Sequence, residues 1–96
     1  MSSNIRMRLF ASGRVQGVLY RRSAQAKARK LGIAGWARNL IDGRVEMLCE
    51  GEEKNIQEFL QWAKKGPFFA RVSNMEAQEE EYQGEFASFE IREFGF

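Results

Sequence analysis

Glycine residues divide this chain into short segments whose hydrophobic periodicity alternates between helical and extended. The breaks fall at Gly13, Gly17, Gly32, Gly35, Gly43, Gly51, Gly66-Pro67 and Gly84. Glycine and proline interrupt regular secondary structure, so each of these positions is a candidate boundary between two elements. The order of the short segments therefore decides which folds are open to the chain.

Two segments have helical periodicity. The first helix is predicted from about Tyr20 to Leu31, and Gly32 suits a left-handed cap after it. The second is predicted from about Glu53 to Lys65, where Gly66 and Pro67 prevent continuation. Both carry an apolar stripe for packing against a partner layer: Tyr20, Ala24, Ala28 and Leu31 in the first helix, and Ile56, Phe59, Leu60 and Ala63 in the second.

Extended segments occupy the rest of the chain. Ile5 to Ser12 alternates between two faces, with Ile5, Met7 and Leu9 on one and Arg6, Arg8 and Phe10 on the other. Gly35 to Cys49 reads as a hairpin, Ala70 to Gln78 as a weaker strand and Ser88 to Phe94 as a last, short strand. We expect the run Glu79 to Glu81 to form a solvated acidic turn.

The hairpin has two possible registers. Asp42-Gly43 is a strong turn signal. A two-residue loop would pair Asn39 with Glu46, whereas a three-residue loop with a bulge at Gly43 would pair Asn39 with Val45. The two alternatives place Asn39 on opposite faces of the sheet relative to Val45, and the sequence does not distinguish them.

The element order is strand, helix, strand, strand, helix, strand, which is typical of the ferredoxin-like α+β fold. We predict a two-layer sandwich of the type β-α-β-β-α-β, with an antiparallel sheet and two helices on one face. A chain of 96 residues suits one domain, covering residues 1–96.

Composition limits the chemistry that the chain can perform. It has no histidine and a single cysteine, Cys49, which excludes Ser-His and Cys-His nucleophile pairs and zinc sites built from cysteine and histidine. A carboxylate site for Mg²⁺ stays open, and Cys49 is expected to be a buried apolar residue. Any enzyme here must act mainly by orientation and electrostatics, which favours an already activated substrate.

Partners and location follow from the same totals. The net charge of +2 does not require a nucleic-acid partner. No apolar run approaches the roughly 20 residues of a membrane span, and the residues after Met1 include no apolar stretch that would serve as a signal peptide. We therefore expect a cytoplasmic protein that does not bind membranes.

The loop from Gly13 to Arg21 joins a strand to the start of a helix and suits an anion. Backbone N–H groups at a helix N-terminus carry partial positive charge, and two glycines allow them to converge. Arg21 and Arg22 lie in the first helical turn, where cations oppose the helix dipole. A bound anion would offset that repulsion, although two solvated arginines at a helix end are an equal alternative.

A second segment of interest runs from Gly35 to Asn39. An asparagine before a turn is often only a turn-former. Trp36 is expected to pack in the core or at its rim, and Glu46 and Glu50 to lie on a solvated strand edge.

Together the two segments resemble the signatures of the acylphosphatase family. Gly13 to Arg21 matches Gly-x-Val-Gln-Gly-Val-x-Phe-Arg, and Gly35 to Asn39, followed by Gly43, Val45 and Gly51, matches the second signature. One departure is Tyr20, where the family more often has Phe or Met. A tyrosine hydroxyl there needs a polar partner or solvent.

The resemblance implies a ferredoxin-like fold and hydrolysis of acyl phosphates to carboxylate and inorganic phosphate, with no metal or cofactor. By this resemblance Arg21 and Asn39 are catalytic. Asn39 orients the attacking water, and the phosphate is bound by Arg21 and by a loop made of Gln16, Gly17, Val18, Leu19 and Tyr20. We expect a monomer whose product, inorganic phosphate, inhibits it. The alternatives are a catalytically silent binding domain of this type and an RNA-binding module of similar topology, although the RNA-binding signature is absent.

Overall fold

Side-chain alternation determines how the first strand, β1 (Asn4–Arg14), sits in the sheet. Ile5, Met7 and Leu9 are buried on one face, as predicted, while Arg6 and Arg8 lie on the other. The computed structural model describes residues 3–93. Its remaining elements are α1 (Tyr20–Lys30), β2 (Ala34–Asn39), β3 (Val45–Glu52), α2 (Glu53–Lys65), β4 (Arg71–Glu80) and β5 (Phe89–Ile91).

The strands form one sheet in the order β4-β1-β3-β2-β5. The first four are antiparallel to their neighbours, as predicted, whereas β5 is parallel to β2. The cause is the route of the chain. The chain leaves β4 at the end of the sheet where β2 begins. The next strand, β5, therefore starts at that end and runs beside β2 in the same direction. The predicted strand from Ser88 to Phe94 is shorter than expected, and Phe94 lies outside the described residues.

Both helices pack on one face of this sheet around a common core. Large side chains from both layers are fully buried there, among them Leu9, Met47, Phe59 and Phe89. Cys49 is also fully buried, as predicted, and burial raises the pKa of its thiol well above the usual range. Within residues 3–93, no helix is both long and apolar enough to cross a membrane.

The opposite face of the sheet carries buried charges, which corrects two predictions. Glu46 and Glu50 do not lie on a solvated edge, because β3 is the central strand and both side chains are buried. Glu46 accepts hydrogen bonds from Arg8 and Arg38. Glu50 accepts from the backbone N–H groups of residues 83, 84 and 85, which fastens the segment between β4 and β5.

The predicted acidic turn at Glu79 to Glu81 is also wrong over its first two residues. Glu79 and Glu80 continue β4, an edge strand that tolerates charged side chains. The Glu80 carboxylate lies 2.6 Å from Nε of Arg8 on the neighbouring strand. This hydrogen bond holds the pKa of Glu80 below its usual range. Two arginines of the neighbouring strand, Arg6 and Arg8, thus compensate part of the negative charge at the end of β4.

Candidate active site

The loop between β1 and α1 has an unusual backbone at its end. Leu19 adopts φ +65°, and it is the only residue other than glycine with positive φ between residues 3 and 93. A left-handed residue with a side chain costs about 1–2 kcal/mol, and such strain is often found at functional sites. Helix α1 begins immediately afterwards, with no side-chain cap and no acidic residue in its first turn. The first N–H groups of α1 are therefore not satisfied by a capping side chain.

A cavity of about 350 Å³ opens beside this loop. Its lining includes both residues that the sequence predicted as catalytic, Arg21 and Asn39, although they lie in different layers of the fold. The other lining residues are Val15, Gly17, Leu19, Tyr20, Arg22 and Ile91. The fold thus brings the two sequence motifs to one site.

The guanidinium of Arg21 is held by backbone rather than by a carboxylate. Its Nη1 donates to the carbonyl oxygen of Arg92, at 2.9 Å. Among residues 3–93 it forms no salt bridge, so its other donors remain available to an anion. The neighbouring Arg22 lines the same cavity and is exposed.

Asn39 faces the helix layer because of the register of the hairpin. It pairs with Val45, so the loop has three residues and Gly43 takes φ +97°. This is the second of the two predicted registers, and it places Asn39 on the same face as the fully buried Val45. Oδ1 of Asn39 is buried and has no hydrogen-bond partner within the described part of the chain. A buried amide oxygen without a hydrogen-bond partner is uncommon, and a water or substrate bound during function would supply the missing hydrogen-bond donor.

The side chain of Gln16 joins the two motifs. Its Nε2 donates to the carbonyl oxygens of Leu40 and Arg44, at 2.8 and 2.9 Å. It therefore connects the hairpin that carries Asn39 to the loop that precedes α1, the helix that carries Arg21. Gln16 and the buried Val18 do not line the cavity themselves.

Tyr20 finds the polar partner that its hydroxyl requires. The hydroxyl donates to the carbonyl oxygen of Ala63 in α2, at 2.7 Å, and burial raises its pKa well above the usual range. The ring packs against Trp62, with centroids 5.5 Å apart. The phenol is thus directed into the core, so the departure from the family signature is accommodated away from the reacting groups.

The sequence did not indicate two residues near the cavity, Ile91 and Arg92. They belong to β5 and the residue after it, and no motif marks them. The guanidinium of Arg92 stacks on Trp36, 5.0 Å from the ring centroid, on the face of the sheet away from the helices. Trp36 is almost fully buried, which confirms that it packs. Only the parallel pairing of β5 with β2 brings Ile91 and Arg92 to the site.

Comparison with known proteins shows to which family the chain belongs. A model of the acylphosphatase family matches residues 7–91. The chain belongs to the acylphosphatase family. An acylphosphatase of Acaryochloris marina is 48% identical over 91 residues, which are 95% of this chain and 97% of that protein. An acylphosphatase of Rubrobacter xylanophilus is 47% identical over 87 residues, 91% of this chain and 79% of the relative.

A solved structure supports the same relationship. The crystal structure of acylphosphatase from Bacillus subtilis superposes with a TM-score of 0.88 at 38% identity, covering 92% of this chain and 98% of that one. The chain is therefore a ferredoxin-like α+β hydrolase that cleaves acyl phosphates to carboxylate and inorganic phosphate. Residues 3–93 include no group of three or more His, Cys, Asp or Glu side chains suited to hold a metal ion.

Proposed function

We propose that this hydrolase binds the phosphate of its substrate between Arg21 and the start of α1, and that Asn39 positions the attacking water. The observation that carries the proposal is one cavity lined by both residues: Asn39, whose buried Oδ1 has no hydrogen-bond partner among residues 3–93, and Arg21, whose guanidinium has no carboxylate partner within the same range. An acyl phosphate supplies the anion that the arginine lacks, and a water supplies the hydrogen-bond donor that Asn39 lacks.

The phosphate site combines backbone and side-chain donors. The phosphate-binding loop is made of Gln16, Gly17, Val18, Leu19 and Tyr20. Gly17, Leu19 and Tyr20 line the cavity and contribute main-chain N–H groups, whereas Gln16 and Val18 do not line it and complete the curve of the backbone around the anion. Arg21 adds a planar fork of donors that matches two phosphate oxygens. Its hydrogen bond to the Arg92 carbonyl orients this fork before substrate arrives. The Gln16 side chain serves a different purpose, since it holds the hairpin that carries Asn39.

Hydrolysis then needs orientation more than a strong base. Oδ1 of Asn39 accepts a hydrogen bond from a water molecule and so directs the oxygen of that water at the phosphorus atom. The new P–O bond forms as the bond from phosphorus to the acyl oxygen breaks, and the carboxylate leaves with the electron pair. The water proton passes to an oxygen of the substrate's own phosphate. Arg21 and the loop N–H groups stabilise the charge that develops on the equatorial oxygens.

Three further expectations belong to this proposal. The reaction proceeds without a metal or cofactor, because arginine and helix N-terminal groups supply the positive charge. The partner is a small-molecule acyl phosphate rather than a nucleic acid, and inorganic phosphate acts as a product inhibitor. We also expect the protein to work as a monomer in the cytoplasm.

A pair of matched arginine variants tests the assignment. Arg21→Lys keeps the charge but loses the planar fork, so kcat/KM for a synthetic acyl phosphate such as benzoyl phosphate should fall by about 10²-fold. The inhibition constant of inorganic phosphate should rise with it. Arg22→Lys, one residue along in the same cavity, should change either value only a few-fold. A larger loss in Arg22→Lys than in Arg21→Lys would transfer the phosphate-binding role to Arg22.

A further inference from the structure

The cavity has two chemically different sides. Arg21, Arg22 and Asn39 supply its polar groups, whereas Val15, Leu19 and Ile91 supply an apolar surface. Its volume of about 350 Å³ falls within the roughly 300–1,000 Å³ typical of small-molecule sites and is several times larger than a phosphate group. A phosphate group bound at Arg21 would therefore fill only part of the cavity.

Leu19 is unfavourable for stability in two separate ways. Its backbone is left-handed, a conformation that glycine or asparagine adopts more readily. Its apolar side chain is 66% exposed, so it contributes little to the core. The family signature allows any residue at this position, so the main-chain role of the loop does not explain a leucine. A ligand that covers the side chain would explain it.

Ile91 lies on the same cavity and is tied to the catalytic arginine. It is 38% exposed at the end of β5, and the next residue provides the carbonyl oxygen that binds Arg21. An apolar side chain is thus held beside the guanidinium by the backbone. A ligand whose phosphate binds Arg21 would place its attached group within reach of this surface.

We propose that Leu19 and Ile91 form a binding surface for the acyl group of the substrate, and that the enzyme favours acyl phosphates with an apolar acyl group. Aromatic and branched aliphatic acyl phosphates belong to this class, whereas acetyl phosphate has too little apolar area to cover both side chains. The inference rests on the proposed function, because the phosphate at Arg21 sets the position of the acyl group.

The test compares benzoyl phosphate with acetyl phosphate in matched variants. The two substrates differ in intrinsic reactivity, so the informative quantity is the change in the ratio of their kcat/KM values on substitution. Leu19→Asn retains a similar shape and accepts a left-handed backbone. Ile91→Thr retains β-branching. Ile41→Thr is the control, because Ile41 is 71% exposed in the hairpin loop and does not line the cavity.

Each of the two test variants, Leu19→Asn and Ile91→Thr, should lower the ratio of kcat/KM for benzoyl phosphate to that for acetyl phosphate by roughly 3- to 10-fold. This change is smaller than the discrimination typical of enclosed pockets, because the surface is open to solvent. Ile41→Thr should leave the ratio unchanged. An unchanged ratio in both test variants, or an equal change in Ile41→Thr, would overturn the inference. A failure of the proposed phosphate site would be recognised separately. In that case Arg21→Lys would retain the wild-type inhibition constant for inorganic phosphate, a ligand that has no acyl group.

Discussion

At the scale of single residues, the sequence identifies Asn39 as a candidate but does not show where it points. The type of residue comes from the motif, whereas its direction depends on whether the hairpin loop has two or three residues. The structure selects three, and a shift of one residue would have moved the amide to the opposite face of the sheet. That no residue between 3 and 93 donates a hydrogen bond to Oδ1 is likewise a tertiary property, since it depends on which donors the neighbouring elements place around this atom.

Asn39→Ala should reduce kcat by roughly 10²–10³-fold, if its role is comparable with that of an oxyanion-hole donor worth about 2.7–4 kcal/mol. Inhibition by inorganic phosphate should change much less, because Asn39 carries no charge and the phosphate donors remain. Both quantities should be measured on one preparation together with its melting temperature. A lower melting temperature with unchanged kcat would mean that Asn39 only shapes the hairpin.

Asn39→Asp separates the same roles by charge. The side chain is nearly isosteric, but a carboxylate in this cavity would repel the substrate phosphate. KM should therefore rise as well as kcat fall, and the increase in KM should diminish at higher salt because ions screen the repulsion. An increase in KM that does not respond to salt would indicate a distorted hairpin rather than electrostatic repulsion.

At the scale of elements, periodicity was a good guide to the helices and a poorer guide to the charged strands. The structure confirms α2 over the predicted residues, because an apolar stripe of four residues and a Gly-Pro end define it. The predicted surroundings of Glu46, Glu50 and Glu80 are wrong, since the partners of these carboxylates come from other parts of the fold: arginines of neighbouring strands for Glu46 and Glu80, and backbone N–H groups of residues 83–85 for Glu50. Arg8, which binds Glu46 and Glu80, is remote in sequence from both.

The glycine that begins the second motif has a structural purpose. Gly35 takes φ +143°, and a Cβ atom there would lie 1.8 Å from the carbonyl oxygen of Leu48 on the paired strand. Gly35→Ala should destabilise the fold by about 4 kcal/mol, because backbone strain and a collision inside the sheet act together. Gly32 is the matched control, since it has φ +69° but, apart from its chain neighbours, no heavy atom of residues 3–93 lies within 4 Å of where its Cβ atom would be.

Gly32→Ala should reduce the free energy of unfolding by only about 1–2 kcal/mol, the strain of a left-handed alanine. Urea denaturation of both variants would provide the comparison. Equal losses would show that the backbone conformation alone requires glycine at position 35, and that the close approach of β2 to β3 is relieved by a small shift.

At the scale of the whole molecule, the absence of histidine is a strong constraint on mechanism. Hydrolysis of benzoyl phosphate should be unchanged after exhaustive treatment with EDTA, because guanidinium and main-chain donors provide the charge stabilisation. The control is the same enzyme with Mg²⁺ or Zn²⁺ added back. Activity that EDTA abolishes and a metal restores would contradict the mechanism, and it would point to the carboxylate site that composition alone leaves open.

Binding at this site should also stabilise the whole fold, since its groups converge only when β2, the loop before α1 and β5 are assembled. A ligand at ten times its Kd raises the free energy of unfolding by about 1.4 kcal/mol if it binds only the folded state. For a domain of this size that corresponds to an increase in melting temperature of about 6–11 °C.

Inorganic phosphate should produce this shift in the wild type and in Arg22→Ala, and KCl at equal ionic strength should not. Arg21→Ala should lose most of the shift, because the phosphate then retains only main-chain donors. A full shift in Arg21→Ala would mean that phosphate binds elsewhere on the molecule, and the role assigned to Arg21 would have to be withdrawn.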